Sequence, residues 1–69
     1  MKIVRKLAGD CNVSNCPTVY VTDRGTLVIQ GYTLDPAATQ QLTLPAGESA
    51  VEVPADLVIE AARGVKASR

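Results

Sequence analysis

The chain has 69 residues, of which 46% are hydrophobic, and its 7 Lys and Arg residues balance its 7 Asp and Glu residues. It contains no histidine, which excludes catalytic pairs and metal sites that depend on an imidazole. The zero net charge disfavours nucleic-acid capture by the chain as a whole, and no apolar stretch approaches the roughly 20 residues that span a membrane. We expect a single small domain over residues 1–69, cytoplasmic, non-enzymatic and without a cofactor or bound metal.

Two strands are predicted in the N-terminal third of the chain. The first covers residues 2–7, and the second covers Thr18–Thr22, where valines alternate with hydroxyl-bearing residues. The first strand also carries basic residues of the kind that guard a sheet edge against pairing with other chains: Lys2, Arg5 and Lys6.

A tight hairpin is predicted next, around the sequence Asp23-Arg24-Gly25. A three-residue hairpin loop commonly ends in a glycine with positive φ, and Asp at its start accepts backbone N–H bonds. This turn places Val21 opposite Leu27 and Val19 opposite Ile29, so that the four apolar residues share one face of the sheet. The alternation of the strands and the chemistry of the turn therefore predict the same register.

The second half of the chain predicts further short elements. The strand after the turn extends to Tyr32 or Leu34, and Gly31 marks a bend or a close backbone approach. Asp35 followed by Pro36 predicts the start of a helix of one or two turns. Residues 50–53 form a last strand, with Val51 and Val53 facing inward.

A C-terminal helix is predicted over residues 55–63, with Gly64 as its C-cap. Its apolar positions are spaced three and four apart, so one side of the helix is expected to lie on the sheet. The predicted fold class is therefore α+β: a small, mostly antiparallel β-sheet with one short C-terminal helix.

Several of these motifs together resemble those of a group of short, uncharacterised actinobacterial proteins. The resemblance rests on a cysteine pair, Cys-Pro-Thr-x-Tyr at residues 16–20, Thr-Asp-Arg-Gly at 22–25, a Val-Gln-Gly strand end and Val-Glu-Val-Pro at 51–54. In this chain Ile29 separates the valine from Gln30. Members of the group accompany helix-turn-helix regulators, so the resemblance implies a regulatory or accessory role.

The two cysteines, Cys11 and Cys16, are the candidate thiol or metal residues. Zinc usually takes four ligands, so a complete site would need both cysteines from each of two chains. A local disulfide or a redox switch is the other possibility. The interpretation favoured by the sequence is a pair of reduced thiols, because the cytosol keeps most thiols reduced.

The candidate interaction residues lie in and near the hairpin. Tyr20, Val28 and Tyr32 are expected on the face opposite Val19, where apolar groups and hydroxyls mix as they do in protein interfaces. Arg24 is expected at the tip of the turn.

Three function hypotheses follow. The first is a small protein-interaction module, binding another protein or a second copy as a homodimer, since apolar strand surface is abundant and catalytic residue sets are missing. The second is a thiol redox sensor or zinc-binding protein that uses Cys11 and Cys16. The third is a swapped-hairpin-like nucleic-acid binder, although residues 21–29 lack the basic residue and the Ile-Pro that follow the glycine turn in such proteins.

Overall fold

The computed structural model describes residues 1–9 and 16–67. In chain order it contains β1 (Ile3–Ala8), β2 (Thr18–Thr22), β3 (Leu27–Gln30), β4 (Tyr32–Thr33), α1 (Pro36–Gln40), β5 (Val51–Glu52) and α2 (Ala55–Ala67). The sheets are antiparallel and α2 is the C-terminal helix, so the predicted small α+β fold is confirmed.

The first sheet contains β1, β2 and β3 in that order, which leaves β1 and β3 at its edges. Val21 pairs with Leu27 and Val19 pairs with Ile29, as predicted. Gly25 has a φ of 74°, which confirms the expected left-handed glycine at the end of the loop.

The turn is hydrogen-bonded by Thr22 rather than by Asp23. The Thr22 Oγ1 atom accepts from the backbone N–H groups of Arg24 and Thr26, at 3.2 and 3.3 Å. Asp23 instead joins the hairpin to the start of β1, because its Oδ1 accepts from Lys2 N–H at 3.0 Å while its own N–H donates to Lys2 O at 2.8 Å. The expected Asp23 turn bond is therefore replaced by a bond between elements.

Gly31 separates β3 from β4 and directs the chain into a second sheet, in which β4 pairs with β5. A Cβ at this position would lie 2.7 Å from Glu52 O and 2.7 Å from Val53 Cγ1, so the close backbone approach predicted for Gly31 is confirmed. Val53 packs against the core, but Val51 is exposed, so its predicted inward orientation is wrong. The two-residue ladder is too short to bury both valines.

The helices begin as predicted, but α2 ends later. Asp35 caps α1 by accepting from Ala38 N–H at 2.8 Å, with proline at the first helical positions. The predicted C-cap at Gly64 is wrong, because α2 continues through this residue to Ala67. A Cβ on Gly64 would lie 3.0 Å from Leu7 Cδ2. The glycine therefore gives Leu7 of β1 room to pack against the helix.

The core lies between α2 and the Val19 face of the first sheet. Its buried apolar residues are Ala8, Val19, Leu57 and Ala61, with Leu7 and Val53 packed against them. Val19 is the most deeply buried, with 1% of its surface exposed. The helix therefore covers the face that carries Val19.

Candidate functional site

The helix leaves part of this face uncovered. It packs mainly on β1 and makes fewer contacts with β2, and β3 is not among the strands on which it mainly packs. The two β3 side chains on the Val19 face are consequently open to solvent: Leu27 is 44% exposed and Ile29 is 45% exposed. The outer strand of the sheet therefore presents apolar side chains that this chain does not bury.

One side of the helix also presents an exposed apolar side chain. Glu60 Oε2 accepts from the backbone N–H of Gly9 at 3.4 Å, which directs the Glu60 side of α2 toward the end of β1. Val58 precedes Glu60 by two positions and so lies about 200° around the helix from it. The buried Leu57 and Ala61 lie between these two sides, so Val58 lies beside the core-facing side of α2, away from Glu60, and is 52% exposed.

We call Leu27, Ile29 and Val58 the open flank. All three side chains are apolar and none carries a charge. Charged residues are depleted in the centres of protein–protein interfaces, so this chemistry suits contact with another protein.

The backbone of β3 also has an open side. Thr22 N–H donates to Thr26 O at 2.9 Å, so these residues form a hydrogen-bonded pair at the start of the β2–β3 ladder. Hydrogen-bonded and non-hydrogen-bonded pairs alternate along an antiparallel ladder, which makes the pairs of Leu27 and Ile29 non-hydrogen-bonded. Their N–H and C=O groups therefore point away from β2, to an edge where no strand of the described chain lies.

The four predicted interaction residues do not form one cluster. Tyr20 and Val28 are cross-strand partners on the opposite face and both are half-buried. Tyr32 lies in the second sheet, where it lines a shallow pocket of about 240 Å³ with Glu52, Val53 and Pro54. Arg24 is exposed in the hairpin turn, as expected.

A polar network links the Tyr20 face to the chain before β2. Tyr20 OH donates to Gln30 Oε1 at 3.4 Å, and Gln30 Nε2 donates to Cys16 O at 3.4 Å. The Thr18 hydroxyl donates to the same carbonyl at 3.0 Å. These contacts give Tyr20 and Gln30 a structural role in holding Cys16 against the sheet.

Cys16 is disulfide-bonded, so the expectation of a reduced thiol at this position is wrong. The only other cysteine in the sequence is Cys11, which lies outside the described residues. Thiols stay reduced in a reducing compartment such as the cytosol, whereas the short spacing between the two cysteines is compatible with a bond.

The described residues contain no group of three or more Cys, Asp and Glu side chains placed to hold a metal ion. Within the same ranges, none of the helices has the length and apolar character that a membrane crossing requires.

Sequence reasoning missed the open flank, although it placed Leu27 and Ile29 correctly on the Val19 face. The missing information was the position of the helix over that face. A partial signal was present, because Ala8, Ala61 and Gly64 are small residues that allow a helix to lie close to β1.

In comparisons with known proteins, the chain matched no family model, no curated protein and no solved structure.

Proposed function

We propose that the protein is a non-enzymatic interaction module that binds another protein through the open flank. The observation that carries this proposal is the imbalance between buried and exposed apolar residues. In the described part of the chain, 4 hydrophobic residues are buried whereas 11 large hydrophobic residues are exposed. Single exposed apolar residues are ordinary, but neighbouring ones indicate a contact surface.

The position of the open flank supports a protein partner. It contains exposed apolar side chains of an outer strand and of a helix, and the backbone groups of β3 are available for hydrogen bonds with another chain. Because it offers no basic side chain to a phosphate, it favours protein over nucleic acid. A regulatory or accessory role in the cytoplasm is part of this proposal.

Substitution of Val58 by lysine is expected to abolish partner capture without unfolding the protein. Affinity-tagged wild type and Val58→Lys are crosslinked in intact host cells, and the partners are identified by mass spectrometry. Val4→Lys is the matched control, because Val4 is 59% exposed on β1, at the opposite edge of the sheet. A lysine on a solvated helix position changes stability by only about 0.5 kcal/mol.

The proposal requires a crosslinked species, either hetero- or homomeric, that wild type and Val4→Lys form and Val58→Lys does not. Identical patterns for all three proteins, or no specific crosslink from wild type, would contradict it. Circular dichroism of each variant verifies that the fold is retained.

A second candidate function, a thiol redox switch, is favoured by the disulfide at Cys16. The carbonyl of this residue accepts hydrogen bonds from Thr18 and Gln30, so a displacement of Cys16 on reduction would reach β2 and β3 through these two bonds. A zinc-binding role for Cys11 and Cys16 would apply to the reduced form.

Reduction of the disulfide is expected to lower the free energy of unfolding. A bond between the two cysteines of this sequence closes a six-residue loop, for which the chain-entropy contribution is about 2 kcal/mol. Urea unfolding should therefore show a loss of that size when dithiothreitol is added to wild type, and an equal loss in Cys16→Ser without reductant.

Redox switching further requires that alkylation trapping in intact cells finds both oxidation states of Cys16, in proportions that change with oxidant. A single state under all conditions would contradict the switch. A fully oxidised pool would also argue against a cytoplasmic location. Cys16→Ser treated with dithiothreitol is the control for effects unrelated to the bond.

A further inference from the structure

The two edges of the first sheet differ in how well they are protected from pairing with a strand of another chain. The β1 edge has Arg5 and Lys6 along it, and its pairing with β2 contains two register shifts. The β3 edge has the sequence Leu-Val-Ile-Gln, without a charge or a proline, and pairs with β2 in unbroken register. Charges and bulges protect an edge from further strand pairing. The β3 edge has neither protection.

The open backbone groups of β3 are arranged symmetrically about Val28. A twofold axis beside Val28 would place Leu27 opposite the partner's Ile29, and Ile29 opposite the partner's Leu27. Each of these pairs would be hydrogen-bonded, because the backbone N–H and C=O groups of Leu27 and Ile29 point away from β2 and toward the second copy. We propose that the binding partner is a second copy of this chain, joined through antiparallel β3–β3 pairing into one six-stranded sheet.

The proposal rests on the proposed function, since it names the partner of the open flank. Strand pairing keeps each side chain on its own face. Leu27 and Ile29 from both copies therefore form one apolar patch at the centre of the extended sheet. Twofold symmetry uses the same residues twice, so one short strand supplies a complete interface.

The exposed area of the chain is sufficient for such a dimer. The accessible surface is 5470 Å² for a mass of 7.2 kDa. A folded monomeric protein of this mass exposes about 4,100 Å², so the excess is about 1,300 Å². A stable interface buries about 800 Å² of each partner. Summed over the whole chain, this excess is larger than the area that one dimer interface requires.

Amide hydrogen exchange, measured by NMR on the full chain, tests both the dimer and its register. The Leu27 and Ile29 amides should exchange rapidly at about 10 µM protein and become protected at about 1 mM, because dimerisation depends on concentration. The Val28 amide should be protected at both concentrations, since it pairs with Tyr20 within one chain.

Sedimentation equilibrium of two lysine variants supplies the matched comparison. Ile29→Lys should raise the dimer dissociation constant at least ~100-fold, because each dimer would lose two buried apolar side chains and gain two charges near the axis. Ile3→Lys should leave the constant unchanged, since Ile3 is 49% exposed and lies on the β1 edge.

A monomer at the higher concentration would overturn the proposal, as would a dimer in which the Leu27 and Ile29 amides stay unprotected. Equal effects of the two lysine substitutions would overturn it as well. These outcomes test only whether the partner is a second copy of the chain. The proposed interaction function fails separately, if crosslinking in cells finds no species that depends on Val58.

Discussion

Replacing Leu57 by alanine is expected to lower the free energy of unfolding by about 2–5 kcal/mol, the range for removing a large aliphatic side chain from a core. Leu57 is one of only four buried hydrophobic residues in the described chain, and two of the others are alanines. Urea unfolding followed by far-ultraviolet circular dichroism measures the loss.

Ile59→Ala is the matched control for Leu57→Ala. The two substitutions remove the same number of carbon atoms from the same helix, two positions apart, but Ile59 is 51% exposed. Its replacement should change stability by only about 0.5 kcal/mol. If the two variants lost equal stability, the placement of Leu57 in the core would be wrong.

Replacing Gly31 by alanine is expected to separate the second sheet from the first, with a loss of about 1–3 kcal/mol from overpacking. The new Cβ would lie 2.7 Å from Glu52 O, a backbone atom that can move only if β5 moves. Because Val53 follows β5 and packs against the core, the displacement should also loosen the core. Urea unfolding measures the stability, and amide exchange at Tyr32 and Glu52 reports the separation.

Gly47→Ala is the control for Gly31→Ala. Gly47 has a φ of 91° with open space around its Cβ position, so alanine there meets backbone strain of about 1–2 kcal/mol but no steric contact. Gly47→Ala should therefore lower stability without separating β4 from β5, so the amides of these two strands should exchange as they do in wild type. Rapid exchange at Tyr32 in both variants would show that the loss at Gly31 is not caused by the close approach.

Features set by neighbouring residues could be predicted from the sequence. The β2–β3 register depends on a short turn and on the alternation of two strands, and both signals lie within residues 18–30. The start of α1 likewise depends on one capping side chain and one proline. In such cases the local chemistry and the final structure agree, because no distant residue competes with it.

Features set by distant packing could not be predicted in the same way. A helix about 10 Å across covers two strands spaced about 4.8 Å apart, so a single helix on a three-stranded sheet leaves one strand open. Which strand stays open depends on where Leu7 and Gly64 meet, at opposite ends of the chain. Gly64, at this contact, also lies beyond the predicted end of α2. The open flank at β3 is therefore a result of tertiary packing.

The core joins β1 to α2, the first and the last elements of the described chain. This arrangement determines the order of events during synthesis on the ribosome. The β2–β3 hairpin can form from a short local segment, but Val19 has no apolar cover until the final helix has left the exit tunnel. Chains emerge at about 5–20 residues per second, so the apolar face of the hairpin remains exposed for seconds. The core can therefore close only after α2 has emerged, whatever the order in which the strands form.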